Sequence, residues 1–113
     1  MAPQPPYVGE FEYSVLLAVL HMDGGDQAYA VPVRALLEAR TGRPVARGAL
    51  YTALERLEAK GCLRSRMGDP TAERGGKARR YFTVTALGVR AIRAMHASLA
   101  NLTQGLEAIL EQP

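Results

Sequence analysis

Arg47, Gly48, Tyr51, Thr52 and Arg56 fall close together in the chain, at spacings that would distribute them around a single helix. Their chemistry is recognition rather than bond breaking. Guanidinium, phenol and hydroxyl groups can hydrogen-bond phosphate oxygens and base edges, and a glycine lets a sugar-phosphate strand come close. The amide end of such a helix also favours phosphate. Each residue has a plainer reading too. Gly48 can serve a tight helix start, Tyr51 can be half-buried beside Leu50, and Arg56 can pair with a carboxylate or a partner helix. A second cationic cluster, Arg74, Lys77 and Arg79, could touch backbone phosphate or the minor groove. Arg80 alternates with Tyr81 and can face the helices instead.

These cations stand out against the rest of the chain. Residues 1–42 carry two basic and five acidic side chains, whereas residues 43–81 carry ten basic and four acidic. A positive middle on a neutral-to-acidic frame suits a polyanion-binding face, although a solvated surface would look the same. Catalysis has little support. There is no Gly-rich phosphate loop, nucleophile elbow or pair of catalytic carboxylates. His21 and His96 belong to no cluster with metal-ligand spacing, so neither a metal nor a cofactor is expected. The lone cysteine, Cys62, permits no internal disulfide and reads as a small buried apolar residue.

Length and patterning supply the frame that must position these groups. The chain has 113 residues, 48% of them hydrophobic, enough for one modest core. The apolar run Val15 to Leu20 is far too short to span a bilayer, and no secretory signal is visible. A cytoplasmic location without membrane attachment is therefore the expectation. A Pro-rich arm opens the chain. Phe11, Val15, Leu16, Val19 and Leu20 then mark a first helix over about Gly9 to Met22, followed by the Asp23–Asp26 loop. Val33, Leu36 and Leu37 mark a second helix, about Val31 to Arg40, which Gly42 and Pro44 stop. Leu50, Leu54 and Leu57 mark a third, from near Val45 to Gly61.

After Gly61 the period changes to two. Leu63, Ser65 and Met67 alternate with Arg64 and Arg66, and Arg80, Phe82 and Val84 alternate with Tyr81 and Thr83. These are the strands of a hairpin. The segment between them, Gly68 to Lys77, is too long for a tight turn and is glycine-rich and partly basic.

Thr85 then caps a last helix, predicted to run to about Leu110, roughly 39 Å long at about 1.5 Å per residue. Ile92, Met95, Leu99, Leu102, Leu106 and Ile109 repeat in alternating steps of three and four, an a/d stripe. Ala91, Ala94, Ser98, Asn101 and Gly105 form a parallel stripe of small residues, though Gly105 costs about 1 kcal/mol in a helix interior. Few charges flank the stripe, so the helix should pack against several others, including one from a second copy of the chain. The architecture expected is mainly α with a small β-hairpin: a winged helix-turn-helix with a long C-terminal dimerisation helix. It divides into a flexible arm (1–8), a DNA-binding domain (9–84) and the dimerisation helix (85–110).

Two blocks resemble the PadR family of bacterial transcriptional regulators in its short form. Gly48 to Gly61 is similar to that family's "LYxxLxxLExxG" helix. Lys77 to Gly88 is similar to the "rrxYyxlTxxG" that follows its wing. Ala28-Tyr29 stands where the family commonly has Gly-Tyr, and the Asp23–Ala30 loop departs from its pattern. The resemblance implies a homodimeric regulator, often a repressor, on a palindromic operator, and it supports a phosphate contact from Tyr51. Some members release DNA on binding small aromatic molecules between the dimerising helices. Here the last helix has no aromatic residue and the chain no tryptophan, so no effector is assigned.

The expected partners are double-stranded DNA and a second copy of the chain. The recognition helices would lie about 34–36 Å apart, matching successive major grooves. Two alternatives stand beside this: a winged-helix protein–protein interaction module without DNA affinity, and a ligand or metal sensor whose regulatory chemistry lies elsewhere in an assembly.

Overall fold

The structure, a computed structural model, describes residues 4–22, 25–69 and 78–113. Its elements in chain order are α1 (Glu10–His21), α2 (Ala30–Thr41), α3 (Arg47–Ala59), β1 (Leu63–Met67), β2 (Arg80–Val84), α4 (Ala86–Thr103) and the single turn α5 (Glu107–Leu110). The first three helices and the hairpin match the sequence-based boundaries to within a residue or two.

One core joins them. Val15, Leu16 and Val19 of α1 meet Val33 and Leu37 of α2, Leu50, Leu54 and Leu57 of α3, and Phe82 and Val84 of β2. Leu16, Leu50, Leu54 and Leu57 are buried almost completely, each contributing about 1.5–3 kcal/mol relative to exposure. Leu20, in the same apolar run of α1, is 39% exposed. Cys62 is wholly buried, and that burial pushes its thiol pKa up, which disfavours the thiolate.

The hairpin is antiparallel, with Leu63 opposite Val84, Ser65 opposite Phe82 and Met67 opposite Arg80. Leu63, Phe82 and Val84 turn inward, as the alternation predicts. Phe82 also donates its backbone N–H to the Ala28 carbonyl at 2.8 Å, fastening β2 to the segment that leads into α2.

The arm and the first helix are clipped to the end of α3. Lys60 Nζ donates to Glu12 Oε1 at 2.8 Å and to the Tyr7 carbonyl at 3.0 Å. Glu12 Oε1 also accepts the Gly9 backbone N–H at 3.0 Å, which caps the first turn of α1. The Glu12 side chain is only 14% exposed. Burial acts to raise its pKa, but the Lys60 hydrogen bond, the Gly9 amide and the Lys60 and Arg56 charges together hold it below the ordinary 4.5. A carboxylate with a lowered folded pKa stabilises the fold above its unfolded value, and that stability is lost as pH falls through the folded one. Glu12→Gln is therefore expected to flatten the loss of stability on acidification below about pH 4.5, measured by urea unfolding across that range. An unchanged profile would show that other carboxylates dominate.

The last helix departs from expectation. It stops at Thr103, and Gly105 adopts φ +91° before the turn Glu107–Leu110. The predicted single helix to Leu110 is thus interrupted within its last two turns. The physical reason is local. Asn101, Thr103 and Gly105 are weak helix formers, and every residue from His96 onward is exposed, so no packing within the chain offsets them. The a/d stripe divides accordingly. Ile92 joins the core and Met95 packs against it, while Leu99, Leu102, Leu106 and Ile109 are 43%, 74%, 46% and 67% exposed.

Candidate nucleic-acid interface

The joint between α2 and α3 is built to hold one angle. Gly42 ends α2 in the left-handed region, φ +71°, where glycine carries no steric penalty. Val45 follows, buried, with both backbone groups satisfied by α2 side chains. Its N–H donates to Glu38 Oε2 at 2.8 Å, and its carbonyl accepts from Arg34 Nε at 2.6 Å. Arg34 and Glu38 lie one helical turn apart and 4.0 Å from each other. Neither was singled out from the sequence. An i,i+4 Arg/Glu pair usually signals only a solvated helix face, so the signal was present but pointed elsewhere.

Helix α3 presents the residues that the sequence singled out. With Leu50, Ala53, Leu54 and Leu57 buried, its outward side carries Arg47, Gly48, Tyr51, Thr52, Glu55 and Arg56, all exposed. Tyr51 is 48% exposed, so the half-buried alternative and a reaching hydroxyl are compatible. A Cβ added at Gly48 would meet nothing within 4 Å. Packing inside this chain therefore does not require glycine there. Ala46, at the N-cap, has no side chain that can accept from the first turn, so the leading amides of α3 keep free donors. No ion pair holds Arg56 among the described residues, but its charge acts on Glu12.

The hairpin adds cations at a fixed distance from that helix. Glu58, near the end of α3, accepts from Ser65 Oγ of β1 at 2.7 Å and pairs with Arg80 of β2 at 3.7 Å. One carboxylate thereby holds both strands, and Arg80 faces the helices. The outer side of the hairpin is aromatic and cationic. Tyr29 and Tyr81 meet edge to face at 5.7 Å, Arg79 lies over the Tyr29 ring at 4.3 Å, and Arg66 lies over Tyr81 at 4.7 Å. Such stacking orients a guanidinium against the ring face. Sequence reasoning singled out Arg79 but not Arg66, whose place depends on the register that sets it opposite Tyr81. Arg74 and Lys77, and with them the tip of the hairpin, lie outside the described residues. Among the described residues no group of three or more His, Cys, Asp or Glu is placed to hold a metal. No described helix is long and apolar enough to cross a membrane.

Three helices, an outward-facing third one and a hairpin fastened beside it define a winged helix-turn-helix protein. Residues 16–94 match the Transcriptional regulator PadR-like family, and the chain belongs to that family. Among solved structures it is similar to a PadR family transcriptional regulator from Eggerthella lenta, at 28% identity and TM-score 0.64, over 88% of this chain and 82% of that one. It shares its fold with a transcriptional regulator from Clostridium thermocellum, at 19% identity and TM-score 0.70, over 88% and 92% of the two chains. A PadR-like transcription factor from Bacteroides fragilis aligns at 23% identity and TM-score 0.68, over 88% of each chain. No protein of curated function matches the chain by sequence.

Proposed function

We propose that this regulator is a sequence-specific DNA-binding repressor that acts in the cytoplasm as a homodimer on a palindromic operator. The observation that carries the reading is the outward side of α3, where Arg47, Gly48, Tyr51, Thr52 and Arg56 stand together with no packing role for Gly48. In this reading the start of α3 enters the major groove, as recognition helices do. Arg47 and Tyr51 meet phosphate, Thr52 and Arg56 reach bases or phosphate, and Arg79, Arg74 and Lys77 meet the backbone beside the wing. Leu99, Leu102, Leu106 and Ile109 are left exposed along the C-terminal segment, as is Leu110 beside them. The first four form the dimer contact, and Ile92 and Met95 support it from the core side. Occupying the operator blocks transcription.

The test is selection of bound duplexes from a random pool. A palindrome with half-sites about one helical turn apart is the expected result. Arg47→Ala should weaken binding to every selected sequence and lower the salt slope by about 2, one phosphate contact per subunit. Its mass in solution should stay that of a dimer. Recovery of no enriched sequence would count against specific recognition.

A further inference from the structure

We propose that Glu55 is a specificity-determining residue that reads the exocyclic amino group of a cytosine in each half-site; this rests on the DNA-binding reading above. Glu55 is exposed on the outward side of α3, one turn beyond Tyr51 and Thr52. It also lines the cleft of about 590 Å³ between that helix and the hairpin, together with Tyr29, Tyr51 and Arg80. The other carboxylates around this helix are held: Glu12 by Lys60, Glu38 by Arg34 and Glu58 by Arg80. Among the described residues no cation is paired with Glu55.

An unpaired carboxylate on a face that approaches a polyanion is repelled by every phosphate and weakens binding to arbitrary sequence. It is compatible with tight binding only where it meets a hydrogen-bond donor. The major-groove edges of guanine and thymine offer acceptors alone. Adenine sets its N7 acceptor beside its N6 donor, and cytosine presents only the N4 donor. A carboxylate is an acceptor only, so cytosine is the one base whose edge it meets without an opposing lone pair. Glu55 thus lowers affinity for most sequences and spares those with cytosine at one position.

The experiment is the same random-pool selection carried out with wild type, Glu55→Ala and Glu55→Gln, with affinity for a mixed-sequence duplex measured in parallel. Glu55 is exposed, and no side-chain hydrogen bond or ion pair holds it among the described residues, so both variants should unfold as wild type does. Wild type should show a cytosine-restricted position in each half-site, favoured about tenfold. Glu55→Ala should lose that restriction and bind mixed duplex several-fold more tightly, roughly as removal of one repelled charge predicts. Glu55→Gln should move the preference toward adenine, because an amide can donate to N7 while accepting from N6. An unchanged cytosine preference in both variants, or no position that responds to residue 55, overturns the assignment while leaving DNA binding intact. Failure of the wild type to bind any duplex overturns both.

Discussion

Gly88→Ala is expected to destabilise the fold by about 3 kcal/mol, near the upper end for overpacking a tight site. Gly88 lies in the first turn of α4, pressed flat on the backbone that leaves α3. A Cβ there would sit 2.2 Å from the Cys62 carbonyl oxygen and 2.8 Å from Val84 Cγ1. The oxygen is backbone and already accepts the Thr85 N–H at 3.1 Å. Moving it would also pull on Thr85, whose hydroxyl donates to the Gly61 carbonyl at 2.6 Å and accepts the Gly88 N–H at 3.0 Å. Hairpin, helix start and core would shift together. Urea unfolding should show the loss, with a melting temperature lower by about 10 °C for a chain of this size. A change below about 1 kcal/mol would mean that the contact relaxes far more easily than close packing allows. Gly48→Ala supplies the contrast. Its new methyl would meet open space, so stability should rise by up to about 1 kcal/mol from helix propensity, while DNA affinity falls.

If the chain dimerises as proposed, Leu99→Asp is expected to leave it monomeric and to lower affinity for the proposed operator by on the order of 100-fold, since one half-site must then bind without the other. Leu99 is 43% exposed and its neighbour along the stripe, Leu102, is 74% exposed. Each subunit would lose the burial of a leucine, about 1.5–3 kcal/mol, and would place an unpaired carboxylate in an apolar contact. Because the side chain lies outside the core cluster, the monomer should keep its fold. Sedimentation equilibrium reads the mass and circular dichroism the fold. A variant that stays dimeric would remove this helix from the interface.

The contrast between these two positions shows what a sequence can carry. Leu50, Leu54 and Leu57 announced a helix and its buried side by spacing alone, and they are indeed buried. The hairpin was legible because Phe82 and Val84 alternate with less buried residues. On α3, knowing the buried side fixed the exposed one, which is why the outward position of Arg47, Gly48, Tyr51, Thr52 and Arg56 was legible from spacing. What could not be read depends on tertiary geometry. Glu58 holds Ser65 and Arg80 only because the strand register brings both to one carboxylate. Arg34 and Glu38 serve the backbone of Val45, a role their spacing does not reveal. The end of α4 was misjudged because the a/d period persists through Gly105, whereas the backbone departs from the helix there. Periodicity records which side chains could share a face. It does not weigh the local cost of Asn101, Thr103 and Gly105 against packing that the single chain lacks.

DNA binding through phosphate by a paired protein is tested most directly by titrating the wild-type chain against a mixed-sequence duplex at several salt concentrations, reading fluorescence anisotropy. With about six phosphates neutralised per dimer, log affinity should fall against log salt with a slope near −5, a loss of about a thousandfold between 50 and 200 mM. Binding that is absent at the lowest salt, or insensitive to salt, would contradict a DNA-binding role.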